Sequence, residues 1–239
     1  MEIAHRKSAV AEYFKEVIYG GIDGIITTFA VVSGFSGAAL SSDMTVQASF
    51  AIVLLFGLAN LFADAISMGL GNFLSVRAEK DQYNSERAKE RELLRNDPAG
   101  EFEETVTIMT EKGFSENDAR TLANIYRHNE EYWLDFMMTN EYGMSDPRGD
   151  NPALTGLSTF GAFLVFGSIP LIPFLFLAEA DSSVLFKVSA FGTLIALILL
   201  GLLKWRVVNT SIWRSVVEVV FVGSVAATIA FMVGTFFRL

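Results

Sequence analysis

The sequence has no cysteine and only two histidines, His5 and His128. Disulfides, thiolate zinc sites and iron–sulfur clusters are therefore excluded. Any metal must be held by carboxylates, amides, hydroxyls, carbonyls, methionine sulfur or those two imidazoles. Charge is scarce as well. Only 19% of the 239 residues are Asp, Glu, Lys or Arg against 51% hydrophobic, and the apolar residues come in long blocks rather than at amphipathic spacing. No low-complexity linker or internal repeat interrupts them. The opening stretch MEIAHRKSAVAEYFKEV mixes Glu2, Glu12 and Glu16 with its bases and has no apolar core before the first block, unlike a cleaved signal or transit peptide.

What is present is five blocks of the roughly 20 apolar residues that a helix needs to cross a hydrocarbon core about 30 Å thick. They cover residues 17–40, 46–76, 154–177, 184–203 and 216–237. The expected fold is an all-α integral membrane protein with five transmembrane helices and a helical cytosolic insert between the second and third. Three parts follow: 1–76 with helices one and two, 77–150 as the acidic insert, and 151–239 with helices three to five. Sixteen of the eighteen Lys and Arg residues fall on one side of this arrangement, against Lys187 and Arg238 on the other. The positive-inside rule then places the N-terminus and the insert in the cytosol and the C-terminus outside. Trp205 and Trp213, among Lys204, Arg206 and Arg214, suit a cytosolic interfacial belt.

The insert carries eighteen acidic and ten basic residues, so it holds nearly all of the chain's net charge of minus nine. Its helices are marked by their punctuation. The second block runs on into the insert and stops at Asp97-Pro98; a helix near 101–112 ends at Gly113; another begins at Ser115, with Asp118 three residues on; the stretch to Tyr142 continues that helix or forms a fourth, ending at Gly143.

Three acids interrupt the apolar blocks: Asp23, Asp64 and Glu218. A carboxylate in lipid is costly enough that it faces a bundle interior or hydrated cavity and marks a path for ions or protons. Asn60, Asp64 and Met68 recur every four residues and form one stripe, with Asn72 beside it, while Asp23 and Thr27 share a face of the first helix near Gly20 and Gly24. Taken alone, Asn60 reads as part of an interhelical hydrogen-bond seam, and it is Asp64 beside it that points to a pathway. Depth along the helices puts all three acids in the cytosolic half, where carboxylates with the Met68 thioether would suit a softer divalent ion than Ca²⁺ or Mg²⁺. For Glu218, the competing reading is an interfacial residue complementing the start of the fifth helix. In the insert, Glu86 with Glu90, Glu101 with Glu104, and Met137, Met138 and Glu141 have helical spacing. They read either as a solvated face or as a collector of cations beside a membrane whose anionic lipid would repel such charge. His128 with Glu131 reverses the Glu-x-x-His order of a di-iron site and has no second copy, which argues against a ferroxidase centre.

These residues carry a family resemblance. Asp23-Gly-Ile-Ile-Thr-Thr-Phe-Ala-Val-Val-Ser-Gly, Ala63-Asp-Ala-Ile-Ser-Met-Gly-Leu-Gly leading to Arg77-Ala-Glu-Lys-Asp, and Ile169-Pro-Leu-Ile-Pro make the chain similar to the vacuolar iron transporter family over nearly its whole length. The resemblance implies a homodimer of five-helix subunits that exports Fe²⁺, and often Mn²⁺, from the cytosol in exchange for protons. It implies that Asp23 and Met68 line the translocation site, with Asp64 adjacent, while Asn60 and Thr27 join the expected pathway by sharing faces with these aspartates. It also implies that Glu90, Glu101, Glu104, Met137, Met138 and Glu141 gather metal. Leu93 and Asn72 stand where the family pattern has carboxylates. The partners expected are the lipid bilayer, divalent metal, protons and a second copy, with no nucleic acid, no resident cofactor and no enzymatic activity. A prokaryotic plasma membrane is the expected location, and a membrane-anchored metal sensor or docking protein is the alternative function.

Overall fold

The computed structural model describes residues 13–39, 46–177, 180–208 and 210–236. Among them it is helical, with turns and short irregular links and no strand. The chain divides into two compact units, one of Met1–Phe73 with Pro152–Leu239 and one of Leu74–Asn151.

The first unit holds α1 (Phe14–Ala39), the start of α2 (Val46–Asn96), α6 (Pro152–Gly167), α7 (Ile172–Phe176), α8 (Ser182–Val208) and α9 (Ile212–Phe236). Among the described residues, five stretches are long and apolar enough to cross a membrane: Phe14–Ala38, Phe50–Asn96, Pro152–Phe176, Ser182–Val208 and Ile212–Phe236. Helix α1 packs against α6, α8 and α9. Its glycines make that approach close: a Cβ at Gly20 or Gly24 would lie 2.7 or 2.6 Å from the carbonyl oxygen of Thr159 or Phe163 on α6. Small residues at such contacts are how helices associate where lipid removes the hydrophobic drive between them. Phe29, Val32, Leu61, Ala65, Phe163 and Leu171 form one interior cluster, and Ile25, Leu197, Leu200 and Val219 another. Large apolar side chains such as Phe62, Leu70, Phe191, Phe221 and Met232 point outward instead, as lipid-facing residues do.

The third block departs from the single helix read from sequence. It breaks after Gly167 into a 3₁₀ turn, Ile169–Leu171, before resuming as α7. Pro170 and Pro173 have no N–H to donate and crowd the carbonyl four residues back. The freed Pro170 carbonyl is satisfied by the buried Ser189 hydroxyl of α8 at 2.7 Å.

At 51 residues α2 is about 76 Å long, more than twice the hydrocarbon thickness. Its part beyond Phe73 belongs to the second unit, with α3 (Pro98–Glu111), α4 (Glu116–Tyr126) and α5 (Glu130–Asn140). Caps set these boundaries. Asp97 accepts from the Gly100 N–H with Pro98 at the first helical position, Ser115 accepts from the Asp118 N–H, and Asn129 accepts from the Tyr132 N–H. Gly113 and Gly143, at φ of 99° and 65°, turn the chain away after α3 and α5. The stretch from Ser115 to Tyr142 is thus two helices, divided at Asn129. Tyr83, Leu94, Trp133, Leu134, Met137 and Met138 form the unit's main core. Along its edge Arg87, Arg91 and Arg95 of α2 pair with Glu130, Glu131 and Asp135 of α5.

Candidate metal sites

The chain reversal at Asp97-Pro98 folds α3 back so that Glu101, in its first turn, meets Glu90 on α2, and the end of α5 delivers Glu141 to the same place. One carboxylate oxygen from each of the three lies within 4.8 Å of the others. Glu90 is fully enclosed and Glu101 is 8% exposed, whereas Glu141 opens to solvent. The Tyr142 hydroxyl donates to Glu90 Oε2 at 3.1 Å. Glu90 Oε1 and Glu101 Oε2 are buried without a donor from the rest of the protein. Buried polar atoms ordinarily find partners, and orphaned ones ask for a proton or an ion.

Electrostatics sharpen this. Burial, then the charge of Glu90 and a hydrogen bond shared with it, then the charges of Glu104 and Glu141, push the Glu101 carboxyl up to about 8. Burial, then the charges of Glu90 and Glu104, push Glu141 up to about 7. A proton shared by Glu90 and Glu101 relieves the metal-free cluster, and a divalent cation could take its place with several oxygens around it.

The other insert residues are arranged differently. Glu104 is exposed and contributes its charge to the cluster. Met137 and Met138 are fully enclosed in the unit's core, the Met137 sulfur 3.4 Å from the Thr105 hydroxyl. Glu86, paired with Glu90 by spacing alone, is bound instead to Lys89 at 2.8 Å.

In the first unit, Asp23 and Asp64 are each half-buried and lie within Coulombic reach of one another. Asn60 donates to Asp64 Oδ2 at 2.8 Å and so orients that carboxylate. The Thr27 hydroxyl donates to the Asp23 carbonyl of its own helix at 2.9 Å. Met68 packs against the interior apolar cluster. Asp23 also lines a cavity of about 510 Å³ with Lys15, Tyr19, Lys204 and apolar residues of α1, α8 and α9. Asn72 donates to the Thr159 hydroxyl at 2.7 Å and ties α2 to α6. Glu218 stands apart from the aspartates' hydrogen bonds. It lies two turns into α9, which begins at Ile212, and is held by Lys204 Nζ at 2.8 Å and Arg214 Nε at 2.9 Å.

A family profile, the VIT family, matches residues 14–235, from the first turn of α1 to the last of α9. The chain belongs to the VIT family. Its similar relatives include a vacuolar iron transporter of Toxoplasma gondii, 36% identical over 239 residues, with 96% of this chain and 76% of that one covered. Vacuolar iron transporter 1 of Arabidopsis thaliana is 33% identical over 220 residues, covering 92% and 84%. A vacuolar iron transporter of Plasmodium falciparum is 34% identical over 227 residues, covering 92% and 80%. In this VIT family chain the match takes in the long apolar helices and the acidic unit alike, and the chain is a multi-pass membrane protein. Two contributors to its acidic unit escape a reading by spacing. Tyr142 finds its partner 52 residues away, and Arg87 finds Asp135 48 residues away.

Proposed function

We propose that the protein exports divalent transition metal, Fe²⁺ and also Mn²⁺, from the cytosol by exchange for protons, as a homodimer with its N-terminus and acidic insert on the cytosolic side. The observation that carries this reading is the Glu90, Glu101 and Glu141 cluster, where one oxygen each of Glu90 and Glu101 is buried without a donor from the rest of the protein, in a membrane protein of the VIT family. The names of its relatives supply the choice of iron, and the Lys and Arg distribution supplies the orientation.

In this reading the insert gathers metal by exchanging its shared proton for the cation, with Glu104 adding attraction and Met137 and Met138 lending sulfur. Asp23, Asp64 and Met68 carry the ion through the membrane. Asn60 holds Asp64 oriented, and protons moving the other way neutralise the two aspartates once the metal leaves. Asp23→Asn keeps the shape of the side chain but removes its charge, so it abolishes metal entry into proteoliposomes while the protein remains folded. Metal flux undiminished in that variant contradicts the assignment of Asp23. Metal binding without flux in the unaltered protein makes it a membrane-anchored sensor instead.

A further inference from the structure

Tyr142 directly follows Glu141 and precedes the left-handed turn at Gly143. The turn is held by the backbone N–H groups of Tyr142 and Met144, which donate to the carbonyls of Met137 and Met138 at 3.4 and 2.9 Å. It returns the phenol to α2, against the core that contains Tyr83, Leu94 and Trp133. There the hydroxyl donates to Oε2 of the fully enclosed Glu90 at 3.1 Å, while Oε1 of the same carboxylate is buried with no donor from outside the carboxylate cluster. The two oxygens of one side chain are thus made unequal.

We propose that Tyr142 is a specificity-determining residue of the carboxylate cluster: by engaging Glu90 Oε2, it confines Glu90 to one-oxygen coordination and so favours small transition-metal ions over Ca²⁺. Ca²⁺ takes about six to eight oxygens and reaches that number through carboxylates that offer both oxygens, whereas smaller ions are satisfied by fewer protein ligands and water. A phenol fixed on one oxygen withholds the second. It also fixes the rotamer of Glu90, as groups behind a metal ligand commonly do. Removal of the hydroxyl alone, in Tyr142→Phe, keeps the ring packed on the core and releases Oε2 to close on a larger ion.

The inference rests on reading the cluster as a metal site, and the experiment separates the two. Calorimetric titration of the purified full-length protein with Mn²⁺ and with Ca²⁺ is made on the unaltered chain, Tyr142→Phe and Glu101→Gln. The expected result is a preference for Mn²⁺ over Ca²⁺ that narrows by about tenfold in Tyr142→Phe, mainly through tighter Ca²⁺ binding. A ratio that stays constant, whether both affinities hold or both fall together, overturns the specificity role and leaves Tyr142 a packing residue. Mn²⁺ binding that is untouched by Glu101→Gln overturns the cluster itself and the inference with it. Tyr142→Met, which also lacks the hydroxyl but fills the space with a flexible chain, gives a second reading of the same ratio if the Phe variant misfolds.

Discussion

Glu101 is the residue on which the chemistry of the acidic unit turns, because it is an acid that keeps its proton near neutral pH. The ordinary Glu value is about 4.3, and burial with the neighbouring charges pushes Glu101 up to about 8 and Glu141 up to about 7. Between the ordinary value and these raised ones, the folded metal-free unit binds more protons than the unfolded chain, so its stability falls as pH rises from about 5 to 8. Metal must displace the same protons, so its affinity rises over that interval and levels off above about pH 8. Thermal melts at pH 5.5 and 8 with and without Mn²⁺ check both signs: the metal-free protein melts lower at pH 8, and the shift produced by Mn²⁺ is larger there. Glu101→Gln flattens both dependences. Asp23 and Asp64 stood out in the sequence because a carboxylate in an apolar block has few innocent explanations. The glutamate cluster was not legible from spacing, since Glu90, Glu101 and Glu141 come from three elements and the helical neighbour Glu86 binds Lys89 instead. Resemblance, rather than periodicity, picked out those glutamates.

Helix boundaries were readable wherever a single residue does the work. Asp97-Pro98, Gly113, Ser115 and Gly143 mark helix ends in the structure. Asn129 was overlooked as a cap, so the division between α4 and α5 was left open, and the carbonyl at the Pro170 break finds its partner in Ser189 on another helix. The ion-pair edge between α2 and α5 is likewise tertiary. Arg87 is 6% exposed and bonds both Glu131 and Asp135, at 2.8 and 2.7 Å. Its partners are half open to solvent, which limits the penalty for losing it to about 1–3 kcal/mol. Arg87→Ala therefore lowers the melting temperature of the protein. Because α5 carries Met137 and Met138 and leads into Glu141, it also weakens Mn²⁺ binding, measurable in the same titration. Unchanged binding would show that α5 is held in place by its apolar core alone.

On the scale of the whole molecule, long apolar helices and an acidic unit follow from hydropathy and composition, while the way α1 packs among α6, α8 and α9 follows from glycines whose contacts only the structure supplies. The absence of cysteine, which excluded thiolate metal sites, makes orientation directly testable. In the proposed topology the exposed positions Asn117 and Asp181 fall on opposite sides of the membrane, and single cysteines there would report it. The proposed topology requires a membrane-impermeant maleimide to reach Asn117→Cys only from the cytosolic face and Asp181→Cys only from the other. Labelling of both from one face would contradict it.

If the molecule moves metal against protons, both fluxes are visible in one experiment. Proteoliposomes containing the full-length chain carry one dye quenched by divalent metal and another reporting internal pH, and Fe²⁺ or Mn²⁺ is added outside. Metal entry accompanied by proton exit is expected, with both lost in Asp23→Asn. Metal entry with no change of internal pH would contradict the exchange, and binding with no entry would contradict transport itself.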